Sequence, residues 1–250
     1  MGTGPLPQPP EPVLSVGLIA ALPAEVRCFL HGSPELNFPF ALTPHLTGFV
    51  CGIGRDAAGS AARTLLGHNI DALVSWGTAG ALSPHLRSGD LLLPEQILAC
   101  DGGSFLTDRP WLERIRYSLQ QSALTIHSGL VTETKEILSG VAQKQELHVR
   151  TGAIAVDMES AAIMENAAVA KIPCIAIRSV VDEADMAMPE TLLRHLDSMG
   201  RPDFAGLLLE MCRSPRLPGT LWRLALAMHR ATSTLKTIAR RPDAIFMYGK

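Results

Sequence analysis

Short apolar runs alternate with segments of helical spacing along most of the chain. Val13–Ala20 is rich in Val, Leu and Ile and reads as a buried strand. Pro23 ahead of Ala24-Glu25-Val26-Arg27 suits a first helical turn, where its fixed φ fits and its missing N–H is not needed. His45–Cys51 reads as a strand, and Arg55–His68 as a helix with Ala58, Ala61, Ala62 and Leu65 on one face. Ala72–Trp76 is again strand-like, Gly77–Gly80 reads as a turn, and Asp90–Leu93 and Gln96–Ala99 suggest two short strands. Trp111–Gln121 is expected to be helical and Ile126–Val131 extended. A strand over Ala153–Val156, a helix from about Met158 to Ala170 and a strand over Pro173–Val181 complete this part. Strands alternating with helices predict an α/β sheet covered by helices.

The two ends differ in character. Residues 1–12 hold five prolines and two glycines, a composition that forms neither helix nor central strand, so a disordered tail is expected. Beyond Asp185, Pro189–Asp197 and Asp203–Cys212 look helical. Pro215–Arg241 looks like one longer helix, with Leu217, Leu221, Leu224, Met228, Leu235 and Ile238 near helical spacing. The expected organisation is a tail (1–12), an α/β domain (13–210) and a helical extension (211–250).

Composition narrows the function classes. The 250 residues carry a formal charge of −2, which offers no overall attraction to nucleic acid. Every apolar run is interrupted before the roughly 18–20 residues that a spanning helix needs. The N-terminus lacks a basic segment followed by an apolar one, so no secretory signal is expected. The five cysteines are scattered and never spaced C-x-x-C, and the histidines form no ligand pair, so no metal site is expected.

Three segments could carry chemistry. Gly52-Ile53-Gly54-Arg55-Asp56-Ala57 satisfies G-x-G-x-x-A after a strand, which raises a dinucleotide site. The acidic residue that would hold the ribose is misplaced, however, because Asp71 sits at the wrong end of the next strand. What remains is a helix N-terminus that favours negative charge. Ser75-Trp76-Gly77-Thr78-Ala79-Gly80 would expose backbone amides and one hydroxyl at the carboxyl edge of the sheet, where open α/β sheets bind ligands. Finally, Glu159 opens a helix after one strand, and Arg178 and Asp182 close the next. If those strands are parallel neighbours, the three charges share one crevice, either as an ion pair or as a site.

These residues resemble a known family. Gly17–Glu25 (G-L-I-A-A-L-x-x-E), C-G-I-G at Cys51–Gly54, G-T-A-G-A-L at Gly77–Leu82 and G-D-L-L-L-P at Gly89–Pro94 are similar to motifs of the methylthioadenosine/adenosylhomocysteine nucleosidases and purine nucleoside phosphorylases. So are D-M-E-S-A-A at Asp157–Ala162 and R-S-V-V-D-E-A-D at Arg178–Asp185. A narrower similarity, over Val74–Leu86, Asp185–Pro189 and Gly200–Asp203, is to the hopanoid-associated phosphorylases, which release adenine from adenosylhopane.

The resemblance implies a three-layer α/β/α fold with a central mixed, twisted sheet, to which this chain adds its helical C-terminal extension. It implies a homo-oligomer in the cytoplasm, acting on a small adenine nucleoside with no cofactor. It assigns Asp182 as the acid at purine N7 and Glu159 as the grip on the ribose hydroxyls, with Met158 against the sugar. Glu25, Thr78 and Arg178 hold the nucleophile, and Ala79 and Gly80 line the site. Water and phosphate both remain open as nucleophile; for phosphate, Gly54 and Arg55 are the candidate ligands. Two departures stand out: Val181 replaces the usual serine before the acid, and Ile137 and Leu138 lack the aromatic that stacks on adenine. A methylthioadenosine/adenosylhomocysteine nucleosidase and a non-catalytic nucleoside- or lipid-binding module are the alternatives.

Between Met211 and Arg241 lie seven basic residues and no acidic one. Such an amphipathic arm can pack on its own domain, wall a groove for a triterpenoid tail, or lie on an anionic membrane surface. The last is favoured here, as a peripheral contact at the inner membrane.

Overall fold

The computed structural model describes residues 14–30, 32–188, 194, 195, 197, 199 and 217–246. Among these, eleven strands form one continuous sheet with helices on both faces. The expected tail, most of Pro189–Asp197 and all of Asp203–Cys212 lie outside the described residues.

The strand β4 (Ala72–Ala81) organises the sheet. On one side it runs parallel to β1 (Val16–Ala20), which continues to β3 (Leu46–Val50) and the antiparallel β2 (Pro39–Thr43). On the other it runs parallel to β11 (Cys174–Val180), followed by β5 (Leu91–Leu92) and β8 (Ile126–His127). Its outer tip also pairs antiparallel with β10 (Ala155–Asp157), in register Val156 to Gly80, leading to β9 (Leu130–Glu133), β6 (Gln96–Leu98) and β7 (Ser104–Leu106). One long strand therefore joins both lobes of a mixed sheet.

The central strands bury side chains on both faces, as the near-continuous apolar runs require. Leu18, Val74, Trp76, Ile175 and Ile177 face a core closed by α1 (Pro23–Val26), α3 (Arg109–Leu119), α6 (Leu217–Ala239) and α7 (Pro242–Phe246). Ile19, Leu73 and Ala176 face the opposite core, beneath α2 (Arg55–Leu66) and α5 (Ser160–Ala170). Small residues on the last two helices (Ala58, Ala61, Ala62, Ala161, Ala162) let them approach each other and the sheet closely. The helix α4 (Val141–Thr151) covers a third, smaller cluster around Leu147 and Val156.

Several sequence expectations need correction. Gly77–Gly80 is the continuing outer half of β4, because β11 and β10 both supply pairing partners there. β10 and β11 are not neighbours; each pairs with β4, and β10 does so antiparallel. The run Ile126–Val131 divides into two strands in different lobes, broken at Gly129 with φ +151°. α4, β2 and β7 were not anticipated.

Within the described part of the C-terminal arm, α6 is one helix, and its inward face is part of the main core. Ala231, Leu235 and Ile238 are fully buried, and Thr234 Oγ1 donates to Gly89 O at 2.6 Å. Beyond it, Phe246 packs its ring against Phe29 and Trp76, and Trp111 Nε1 donates to Ile245 O. Among the described residues no helix is long and apolar enough to cross a membrane.

Candidate active site

The outer end of β4 gathers the charged residues. Gly77 has φ +156°, and a Cβ there would lie 2.7 Å from Glu25 Oε1. Absence of a side chain at this position is what lets the Glu25 carboxylate seat against the strand. Oε1 of Glu25 accepts from Thr78 N (2.8 Å) and Thr78 Oγ1 (2.9 Å), and Oε2 accepts from Leu22 N (3.0 Å). Trp76 Nε1 donates to the Glu25 carbonyl and fixes the short α1 to the strand. Burial pushes the Glu25 carboxyl above its ordinary range, against the lowering effect of the Leu22 amide and the Arg178 charge.

Asp182 follows β11 and is held to the same strand by its main chain. Val181 N donates to Ala79 O and Ala81 N donates to Asp182 O, extending the β11–β4 ladder past the end of the strand. A Cβ at Gly80 would stand 3.2 Å from both carboxylate oxygens, so Gly80 provides the floor beneath Asp182. Opposite stands Lys144 of α4, almost fully buried, whose Nζ donates to Asp182 Oδ2, Glu183 O (2.8 Å) and Met186 O (3.0 Å). Asp182 is thus tied to a helix that lies outside its own strand and loop. Sequence reasoning missed Lys144, since only Lys144 and Leu147 of α4 are buried and one inward leucine makes no apolar stripe.

Glu159 opens α5. Its Oε1 accepts from the amide of Gly54 at 2.8 Å, where Gly54, at φ +106°, precedes α2. The glycine motif therefore directs its helix N-terminus at a carboxylate of this same chain. Burial first, and the Asp157 charge second, raise the Glu159 carboxyl to about 7; the Arg178 charge opposes them.

Arg178 is fully buried below these groups. Its Nε donates to Asp157 Oδ2 at 2.7 Å, and Nη2 donates to Ser75 Oγ (2.7 Å) and Ser160 Oγ (2.9 Å). Ser160 Oγ donates in turn to Asp157. The ion-pair partner is thus Asp157, not Glu159, and Arg178 reaches Glu25 and Glu159 through charge alone.

Residues 43–201 match the phosphorylase superfamily. The chain belongs to the phosphorylase superfamily. Among its relatives is the 5'-methylthioadenosine/S-adenosylhomocysteine nucleosidase of Staphylococcus aureus strain JH9. The two are 25% identical over 198 residues, covering 68% of this chain and 87% of that one. In fold it is similar to the corresponding Neisseria meningitidis nucleosidase in complex with methylthio-immucillin-A, with a TM-score of 0.66 and 18% identity over 90% of this chain and 97% of that one. It is equally similar to the futalosine hydrolase of Helicobacter pylori strain 26695, with a TM-score of 0.66 and 16% identity over 91% of this chain and 98% of that one.

Like the superfamily, the protein is an enzyme of glycosidic-bond cleavage. In this phosphorylase-superfamily chain, Glu25, Thr78, Ala79, Gly80 and Asp182 come together along the outer half of β4, with Val181 beside them. Met158, half-buried, lies between Asp157 and Glu159 and donates its amide to Glu159 Oε2. Leu138 packs against the Val156 cluster, while Ile137 is exposed.

The Arg55 guanidinium binds Glu133, Glu165 (2.6 Å) and Asp101 (3.5 Å). With Arg55 held by three carboxylates and the Gly54 amide given to Glu159, the two candidate phosphate ligands already have anionic partners.

Proposed function

We propose that the protein cleaves the N-glycosidic bond of an adenine nucleoside, with Asp182 as the acid at purine N7 and water as the nucleophile. Bond breaking places positive charge on the ribose ring and negative charge on the departing base, as in sugar hydrolysis. Protonation by a positioned acid gives about 10²–10⁴-fold. Glu159, a carboxylate at the ribose, binds hydroxyls and stabilises the cationic ring. Met158 packs against the sugar. The reading calls on no cofactor, and a homo-oligomeric state belongs to it.

One observation carries this reading: Glu25 and Asp182 are seated against the outer half of β4, and Glu159, just past the strand β10 that pairs with that half, is close enough to feel the Glu25 charge, all three being buried and far apart in sequence. Water is favoured over phosphate because Glu25 at the nucleophile position, when ionised, would repel a phosphate dianion. Its raised proton affinity also suits a group that accepts a proton from water.

Adenosylhopane is the favoured substrate, supported by the narrower motif similarity of residues 74–86, 185–189 and 200–203. The helix α6 adds support. Its inward face is occupied by the core, yet Trp222 and Leu226 are exposed beside Arg223 and Arg230. Positions 222, 226 and 229, and 223, 226 and 230, share one helical face. An apolar and basic face of that kind suits peripheral contact with an anionic bilayer, where a polycyclic substrate resides. A methylthioadenosine/adenosylhomocysteine nucleosidase is the second reading, favoured by the Staphylococcus aureus relative.

Incubation with adenosylhopane, methylthioadenosine and adenosine, each with and without phosphate, tests all of this. Free adenine and free sugar are expected, independent of phosphate, with adenosylhopane cleaved fastest. A sugar 1-phosphate formed only with phosphate would overturn the choice of water. Adenine release from none of the three would overturn the function.

A further inference from the structure

We propose that Lys144 is the positioning residue of the acid, an inference that rests on Asp182 having the role given above. Lys144 is the only buried lysine among the described residues. A buried ammonium is costly unless each of its hydrogens is bonded. Its Nζ has three acceptors, Asp182 Oδ2, Glu183 O and Met186 O, and only the charged ammonium has three hydrogens to give them. All three acceptors belong to the turn that follows β11, so one side chain from α4 fixes the segment carrying the acid.

This arrangement divides the two oxygens of Asp182. Oδ2 is committed to Lys144, whereas Oδ1 has no hydrogen-bond partner among the described residues. Oδ1 is then the oxygen that carries a proton to the purine. As the C1′–N9 bond breaks, its electron pair passes to the base and the Oδ1 proton moves to N7. The carboxylate left behind appears next to a fixed positive charge. Counted from the protonated acid, that attraction is larger after proton transfer than before it, so it lowers the barrier of the transfer step rather than merely tightening binding. The lysine touches no substrate atom and acts only through Asp182.

The test compares Lys144→Met, which keeps the stem and removes the charge, with Lys144→Gln, which keeps two of the hydrogens. The substrate is whichever adenine nucleoside the wild-type protein cleaves fastest. Both variants are expected to lose about 10²-fold in kcat with less than about 3-fold change in KM. On a ribosyl 4-nitrophenolate, whose leaving group needs no proton, both should retain wild-type rates. A folded variant with unchanged kcat, or one that loses both leaving groups equally, overturns the role of Lys144. Lys144→Gln covers the case in which Lys144→Met does not melt cooperatively. Failure of the wild-type protein to release adenine would instead reject the function itself, which separates the two conclusions.

Discussion

The carboxylate of Glu25 fills the space that a side chain at Gly77 would need, with Oε1 2.7 Å from the position of a Cβ. The same glycine lies between Trp76, the last residue of β4 paired with β1, and Gly80, which pairs with β10. The position of the carboxylate therefore depends on this one residue. Gly77→Ala should displace Glu25 and lower adenine release by about 10²-fold, as small misplacements of a reacting group do. Steady-state kinetics with a melting curve would check it, and full activity would refute the seat assigned to Glu25.

Stability should depend on pH through Glu159. Its folded-state value, about 7, lies above the ordinary 4.5, so the native state holds a proton that the unfolded chain releases. Its stabilising contribution is complete below about pH 4.5 and is lost as pH rises through about 7, on the order of 3 kcal/mol in all. Glu25 is shifted in the same direction. Glu159→Gln should therefore flatten the decline between pH 5 and 8 in urea unfolding, and an unchanged slope would contradict the assignment.

Asp157 holds Arg178 in a site that is almost fully closed to solvent. Asp157→Asn leaves a buried guanidinium without its counter-charge, which costs about 3–5 kcal/mol. A fall of that size in the unfolding free energy from urea titration is expected, whereas Asp101→Asn, an exposed and longer contact to Arg55, should leave it nearly unchanged.

The two faces of α6 should separate stability from surface binding. Leu235→Ala empties a fully buried position and should cost about 2–5 kcal/mol. The double variant Trp222→Ser/Leu226→Ser should leave the melting temperature nearly unchanged but abolish flotation with anionic liposomes at low salt. Equal flotation of variant and wild type would remove the membrane contact from the functional reading.

Periodicity and motif order made much of this legible. β1, β3, β11, α2 and α5 lie close to where their apolar patterns place them, because each buries enough of its own residues to declare its period. α4 did not, since its sequence is polar and its one buried charge reads locally as surface. Gly77–Gly80 looked like a turn because glycine clusters usually are. Only the partners supplied by β10 and β11 make it a strand.

The amino-acid sequence by itself determined the alternating α/β order, the acidic residues of the site and the amphipathic last helix, all properties encoded within a few turns or one strand. Tertiary structure alone decided which charges meet: Arg178 with Asp157, the Gly54 amide with Glu159, and Lys144 with Asp182. Those pairings join residues 21, 105 and 38 positions apart. Local pattern carries no information about them, because it is the strand order around β4 that sets the distances.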